Sequence, residues 1–445
     1  MRLTRVVAVA LIAVVFVPVV SRAAAPDSVA AATSTPASAP HTLVLRGVTV
    51  VDGRGGTPLR DAAIVVHEGR IATVGIAAKT KVPHGATVLD LPGTTVIPGL
   101  VDAHVHVATD PTGYDADARD RLGRAFRGGV TYVRDMGGDA IALRALAAWS
   151  ADPSVPAPGL RYSALFAGPS FFTDPRVKAS SHGGPPGAVP WQCAVVENTD
   201  LRAAVAAAKG AGAVAVKIYA DLPPELVAAV AHEARRQGLL VWGHATTYPT
   251  IPTQVVDAGV QVLSHAMYLI WETRQPPPRY HAGRDSLRAL TQPPAPDSVK
   301  LGALFDLMVK RHALLEPTLC VTDTGSPLHG LADWCAAAVG LARTHHVTLV
   351  AGTDNVIPEG KSQPGIHCEM ELLVAAGLTP LEAITAATQN GARALGIERT
   401  HGTIEHGKVA DLVVLDADPT TDIRNTRRVR MVIKGGHVFE NAALP

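Results

Sequence analysis

The sequence predicts an α/β chain: a (β/α)8 TIM barrel in the middle and a small β-sandwich domain formed from both ends. Three observations lead there. Short apolar runs alternate with Ala/Leu-rich helical patterns eight times over about 290 residues. The segments flanking that alternation, 41–97 and 403–445, both read as β-branched strands with tight turns. The Gly-x-Gly-x-x-Gly phosphate fingerprint that a doubly wound open sheet carries after its first strand is absent.

Taken in order, residues 1–25 read as an export signal. Arg2 and Arg5 precede an apolar run from Val6 to Val20, and Ala23-Ala24-Ala25 offers a small-residue cleavage site. The run is shorter than the ~20 apolar residues a spanning helix needs, so no stable membrane span is expected once the signal is removed. Residues 26–40, rich in Ala, Ser, Thr and Pro without a period, read as a flexible linker. The expected location is therefore exported, periplasmic or secreted.

The first β segment, 41–97, contains "TLVLRGVTVVDG" and a hairpin signal at Glu68-Gly69. The barrel follows over 98–402. Its expected strands are 98–103, 130–135, 160–166, 213–219, 239–243, 261–264, 314–320 and 347–352. Its expected helices are 117–127, 139–149, 200–209, 224–237, 298–311, 331–345 and 379–389. Pro224 suits a first helical turn and Gly238 a stop. Two Pro/Gly-rich insertions, 168–196 and 271–296, follow strands and so belong over the active-site face of a barrel. The second β segment, 403–445, closes the chain.

Composition excludes some functions. With 40 basic and 39 acidic residues the net charge is +1, so nothing supports binding a polyanion such as nucleic acid. The partners left are a small molecule or short peptide, and self-association into a homo-oligomer stays open. Cys193, Cys320, Cys335 and Cys368 show no C-x-x-C spacing, so no zinc knuckle or redox motif is expected.

The chemistry concentrates at strand ends. In "PGLVDAHVHV", His104 and His106 are two residues apart at the end of an apolar strand, so both side chains face one side, as a metal pair would. Lys217 sits in "AVAVKIYA", where an isolated ammonium is costly to bury; it must be paired, neutral or chemically changed. His244 ends "LLVWGHA", His265 ends "VQVLSHA" and Asp354 ends "VTLVAGTDN". Lys217 to His244 is 27 residues and His244 to His265 is 21, one β-α step each. All these residues fall at the C-terminal ends of barrel strands. Each has a bland reading, a satisfied core histidine or a capping aspartate, which their coincidence outweighs.

On these residues the chain resembles the amidohydrolase superfamily. "GVTYVRDMGG", "HCEMELLVAAGLTPLEAITAATQNGARALGI" and "GTIEHGKVADLVVLDADP" resemble its imidazolonepropionase-like branch, which includes Xaa-Pro dipeptidase (prolidase)-like enzymes. The resemblance covers essentially the whole chain after the signal. It implies two divalent metal ions, commonly zinc, and a CO2-derived carbamate on Lys217 that bridges them. His104, His106 and Asp354 would hold one metal, and His244 and His265 the other. A hydroxide between the metals would attack the carbonyl, with Asp354 shuttling the proton.

Weaker candidates accompany these. Tyr219 shares the strand face of Lys217 and is placed to donate to a substrate carbonyl or to pack at the rim. His182, in the first insertion, is a substrate contact or an exposed loop residue. Arg134 and Asp135 are expected to pair with one another. His367 and Glu369 are expected just before a helix. The expected function is exported amide or peptide-bond hydrolysis, dipeptidase-like. The alternatives are hydrolysis of N-acyl amino acids, lactones or phosphotriesters, and a catalytically silent barrel acting as a binding protein.

Overall fold

A computed structural model describes residues 42–109, 114–322, 326–358 and 362–441. The signal and linker expected over 1–40 lie outside these residues. No helix among them is long and apolar enough to cross a membrane.

Eight parallel strands run in chain order: Leu100–Val105, Val130–Asp135, Gly159–Ala167, Ala215–Ile218, Leu240–His244, Val262–Ser264, Leu314–Glu316 and Thr348–Leu349. Each pairs with the next. Backbone hydrogen bonds join the last strand to the first, from Ala103 N–H to Ala351 O at 3.1 Å and from Asp354 N–H to His104 O at 2.8 Å. The sheet is thus a closed (β/α)8 barrel. The first, fourth and sixth strands are buried at every position, as parallel strands covered by helices on one side and barrel filling on the other must be.

The fourth, sixth, seventh and eighth strands are shorter than the apolar runs that announced them. The seventh ends at Glu316 because Pro317 cannot donate to a ladder, and a 3-10 turn, Leu319–Thr322, takes over. Cys320 therefore lies in that turn and not in a strand. Pro224 opens the helix Pro224–Arg236, and Gly238 follows its end at φ +79°. Helices Pro252–Asp257, Tyr280–Arg288, Gly365–Ala375 and Gln389–Leu395 were not anticipated. Each is short or lies in a Pro/Gly-rich stretch where a 3.6-residue period has little length to show itself.

The two chain ends build a second sheet of eight strands, separate from the barrel. Seven of its strands form one hydrogen-bonded path, along which Thr42–Val50 pairs with Leu59–His67 and Thr95–Pro98, and Thr87–Asp90 pairs with Thr42–Val50 off that path. Glu68 (φ +47°) and Gly69 (φ +74°) make the hairpin turn anticipated there. Leu43, Leu45, Ile64, Leu412, Val414 and Ile433 form a core distinct from that of the barrel. Lys434 fastens this sheet to the barrel: its ammonium donates to the carbonyls of Ser150, Asp152, Val155 and Ala157 at 2.7–3.2 Å.

Candidate metal centre and its cavity

The barrel mouth brings His104, His106, Lys217, His244, His265 and Asp354 into one cluster. The rings of His104 and His106 lie 5.4 Å apart, those of His104 and His265 4.8 Å, and those of His244 and His265 4.9 Å. Asp354 follows the eighth strand with φ +61°, which folds its carboxylate back over the mouth. One of its oxygens, Oδ1, lies 3.1 Å from His104 Nε2 and 3.2 Å from His106 Nε2. His265 is also left-handed, at φ +72°, and its Nδ1 meets the Thr318 hydroxyl at 2.7 Å, which leaves Nε2 for the cluster. Non-glycine residues in this region carry strain that the surrounding barrel must hold.

The protonation states point to a cation. Burial is the main force that favours the neutral forms of His104 and His244. A neutral imidazole has one N–H, yet both His104 nitrogens face carboxylates: Nδ1 meets Glu316 and Nε2 meets Asp354. One of these contacts sets a lone pair against an anion. His244 Nδ1 is buried without a hydrogen-bond partner, an expensive state for a polar atom. Donor atoms of His104, His265 and Asp354 all lie within 4.8 Å of one another. Nitrogen and carboxylate lone pairs converging without protons fit divalent metal.

Lys217 is fully buried, and among the described residues its Nζ donates only to Ser264 Oγ, at 2.9 Å. Burial, reinforced by the charge of Arg134, drives its pKa well below the usual lysine range. That favours the neutral amine over the ammonium.

Glu316 is the component that sequence reading missed. It ends the seventh strand, is fully buried, and bridges His104 Nδ1 to the guanidinium of Arg134. Arg134 also donates to Ala103 O and lies 4.4 Å from the ring centre of Trp242. Arg134 does not pair with Asp135, against the expectation from their adjacency. Asp135 turns away and accepts the backbone N–H groups of Val107, Gly137 and Gly138 at 2.7–3.0 Å. Neighbours along a strand point to opposite faces, so adjacent residues rarely pair. The one signal for Glu316 was a carboxylate ending the apolar stretch "ALLE", the same pattern that marked the histidines. Glu316→Ala should destabilise the fold by about 3–5 kcal/mol, because it leaves the Arg134 cation buried and unpaired. Glu316→Gln, which keeps one acceptor oxygen and the side-chain volume, should cost less stability and weaken metal retention by roughly 10–100-fold. Urea unfolding and metal titration check the two; unchanged metal affinity in the glutamine variant would leave Glu316 a structural role only.

Above the cluster lies a cavity of about 750 Å³, ample for a drug-sized ligand. The first insertion contributes Phe171 and Arg176, and the second Tyr280, Arg284 and Leu287. Tyr219 lines it as well, with its ring 4.1 Å from that of His244 and 4.4 Å from that of Phe171. Burial, with Tyr280 beside it, holds the Tyr219 hydroxyl well above its ordinary pKa, so it remains a donor. His182 does not line the cavity. Its ring is half exposed and meets Asp139 at 2.7 Å, the residue that caps the helix Ala140–Ser150. His367 and Glu369 lie inside the helix Gly365–Ala375 and serve structure. His367 contacts Thr426 Oγ1 and Gly128 O, and Glu369 accepts from Leu319 and Cys320 N–H. All four cysteines are free thiols.

Residues 95–439 match the model of the amidohydrolase family. The chain belongs to that family. This amidohydrolase is a hydrolase acting on carbon–nitrogen bonds, and members of its family typically use divalent metals. It is 26% identical over 450 residues to an ochratoxinase of Aspergillus niger, across 87% of this chain and 85% of that one. Its structure resembles that of a putative prolidase from Bifidobacterium longum, with TM-score 0.67 and 26% identity over 90% of this chain and 95% of that one. It also resembles a Xaa-Pro dipeptidase with bound methionine, with TM-score 0.71 and 20% identity over 90% and 100% of the two chains.

Proposed function

We propose that this amidohydrolase is an exported binuclear-metal enzyme that cleaves the amide bond of small peptides, dipeptides first among them. The observation that carries the reading is the convergence of the ligand atoms of His104, His265 and Asp354 to within 4.8 Å of one another at the cavity. His104, His106 and Asp354 would hold one cation, and His244, whose Nδ1 lacks a partner, would hold the other with His265. Lys217 lies buried within this cluster. A neutral amine is the form that adds CO2, and the resulting carbamate is an anion suited to two cations. When bound, the metals, zinc in our reading, supply Lewis acidity toward an amide carbonyl and lower the pKa of water.

The chain's own groups do the remaining work. Asp354, ionised and held at the cluster by its contacts with His104 and His106, accepts a proton from water and delivers it to the leaving nitrogen. Tyr219 donates to the substrate carbonyl oxygen from the cavity wall, a contact worth most as charge develops there. Phe171, Tyr268 and Tyr280 exclude water and take up apolar side chains.

The names of the relatives, an ochratoxinase, a putative prolidase and a Xaa-Pro dipeptidase, support amide cleavage over lactone or phosphotriester hydrolysis. The silent-barrel alternative has no lost ligand position to favour it. The test is a hydrolysis screen over dipeptides, N-acyl amino acids, lactones and phosphotriesters, with zinc and bicarbonate present. Dipeptide cleavage should vanish on chelation and return when zinc is restored, with close to two metals bound per chain. Full activity in metal-free protein would sink the mechanism, and no amide cleavage by the metal-loaded protein would sink the activity. Export rests on residues 1–25; N-terminal sequencing of protein recovered outside the cytoplasm checks it, and an intact Met1 there would overturn signal removal.

A further inference from the structure

The cavity is lined by three guanidinium groups, those of Arg121, Arg176 and Arg284. Two are neutralised. Arg121 pairs with Asp117 at 3.0 Å, and Arg176 clasps Asp174 with two nitrogens, at 3.0 and 2.7 Å. Arg284 forms no ion pair among the described residues; its guanidinium lies 5.6 Å from the centre of the Tyr280 ring. A partly buried cation without a counter-charge is costly unless an anion arrives from outside the chain.

Its position is held firmly. Arg284 lies on the helix Tyr280–Arg288 of the second insertion. Tyr280 N–H donates to Asp221 Oδ1 at 2.6 Å, and Asp221 Oδ2 accepts the hydroxyl of Ser170, from the first insertion, at 2.7 Å. One carboxylate thus ties both insertions to the end of the fourth strand. Gly283 sits so close to Tyr248 that a β-carbon would come within 2.2 Å of its ring, so the helix cannot drift outward without loss of packing. Tyr280 stacks on His244 with centroids 5.8 Å apart. Arg284, one helical turn later, lies on the same face.

We propose that Arg284 determines specificity by receiving a free carboxylate next to the scissile amide, so that the substrates are amides of amino acids with an uncapped carboxyl group. This rests on the amide-hydrolase reading above and narrows it. Dipeptides and N-acyl amino acids qualify; neutral amides, lactones and phosphotriesters lack the anion. A planar guanidinium binds a carboxylate through two parallel hydrogen bonds, which orients the amide as well as attracting it.

The experiment compares glycyl-phenylalanine with its C-terminal amide, in the zinc-loaded wild type and in Arg284→Met and Arg284→Lys. The wild type should favour the free acid. Arg284→Met should lower kcat/KM for the acid by about 10–100-fold, chiefly through KM, and leave the capped amide unchanged. Arg284→Lys should restore part of the loss. Calorimetric binding of N-acetylphenylalanine and its amide gives a readout independent of turnover. Equal losses on acid and amide, or no loss on the acid, overturn the proposal, as does equal wild-type binding of acid and amide. Arg284-dependent acid binding without hydrolysis would uphold it and remove the hydrolase reading; hydrolysis of both substrates without discrimination would do the reverse.

Discussion

Lys217→Ala is expected to lower kcat by roughly three orders of magnitude or more, a barrier increase of about 4 kcal/mol. Lys217 is fully buried among the metal-binding candidates, and Ser264 is its sole hydrogen-bond partner among the described residues. The barrel therefore gains nothing structural from an amine there. In the proposed mechanism the carbamylated side chain would supply an anionic ligand to the metals, and alanine cannot. A short carboxylic acid in the buffer should restore part of the activity by filling the vacated volume with a carboxylate. Stability should move the other way. Lys217→Met keeps the volume and removes the buried nitrogen, so metal-free protein should gain about 1–3 kcal/mol. The pH dependence follows from the depressed pKa. Below the ordinary lysine value of 10.5 the unfolded chain binds a proton that the folded chain does not. Metal-free wild type should therefore become more stable as pH rises toward that value, and Lys217→Met should lose that slope. Unimpaired turnover in Lys217→Ala would remove the carbamate from the mechanism.

Asp354→Asn is the second large effect, a fall in kcat of roughly 100- to 10,000-fold, the range typical of removing a positioned acid–base group. Asparagine keeps the shape and one acceptor oxygen, so the contacts of Oδ1 with His104 and His106 at 3.1 and 3.2 Å have a neutral counterpart. Metal content should fall much less than turnover, because the histidine ligands remain. Measuring bound metal and kcat on the same preparation separates the two roles. Equal losses would make Asp354 a ligand alone.

Much of the cluster was legible because strand periodicity is local. Two histidines two residues apart on a strand must share a face, and a polar residue closing an apolar strand must emerge at its C-terminal end. His104, His106, His244 and His265 were found on that basis. Lys217 was found on a related one, as a charge where burial forbids an isolated charge. Glu316 followed the same rule, but a single carboxylate before a proline is also an ordinary strand terminus. His182 shows the converse. A polar loop residue beside glycines looked available to a substrate, yet the insertion folds so that its ring meets Asp139.

The alternation of strands and helices, the chain-order pairing it implies, and the residues that emerge at the barrel mouth are all legible in the chain alone. Those properties depend on period, punctuation and hydrophobicity within about ten residues. Only the tertiary structure decided which partners meet across the mouth: Glu316 with His104 and Arg134, Asp354 with both first-strand histidines, and Asp221 with both insertions. Among the described residues it also left Arg284 without a counter-charge over the cavity. These contacts join residues far apart in the chain. Ring closure sets them, together with the packing of loops whose irregular backbones carry no period to read.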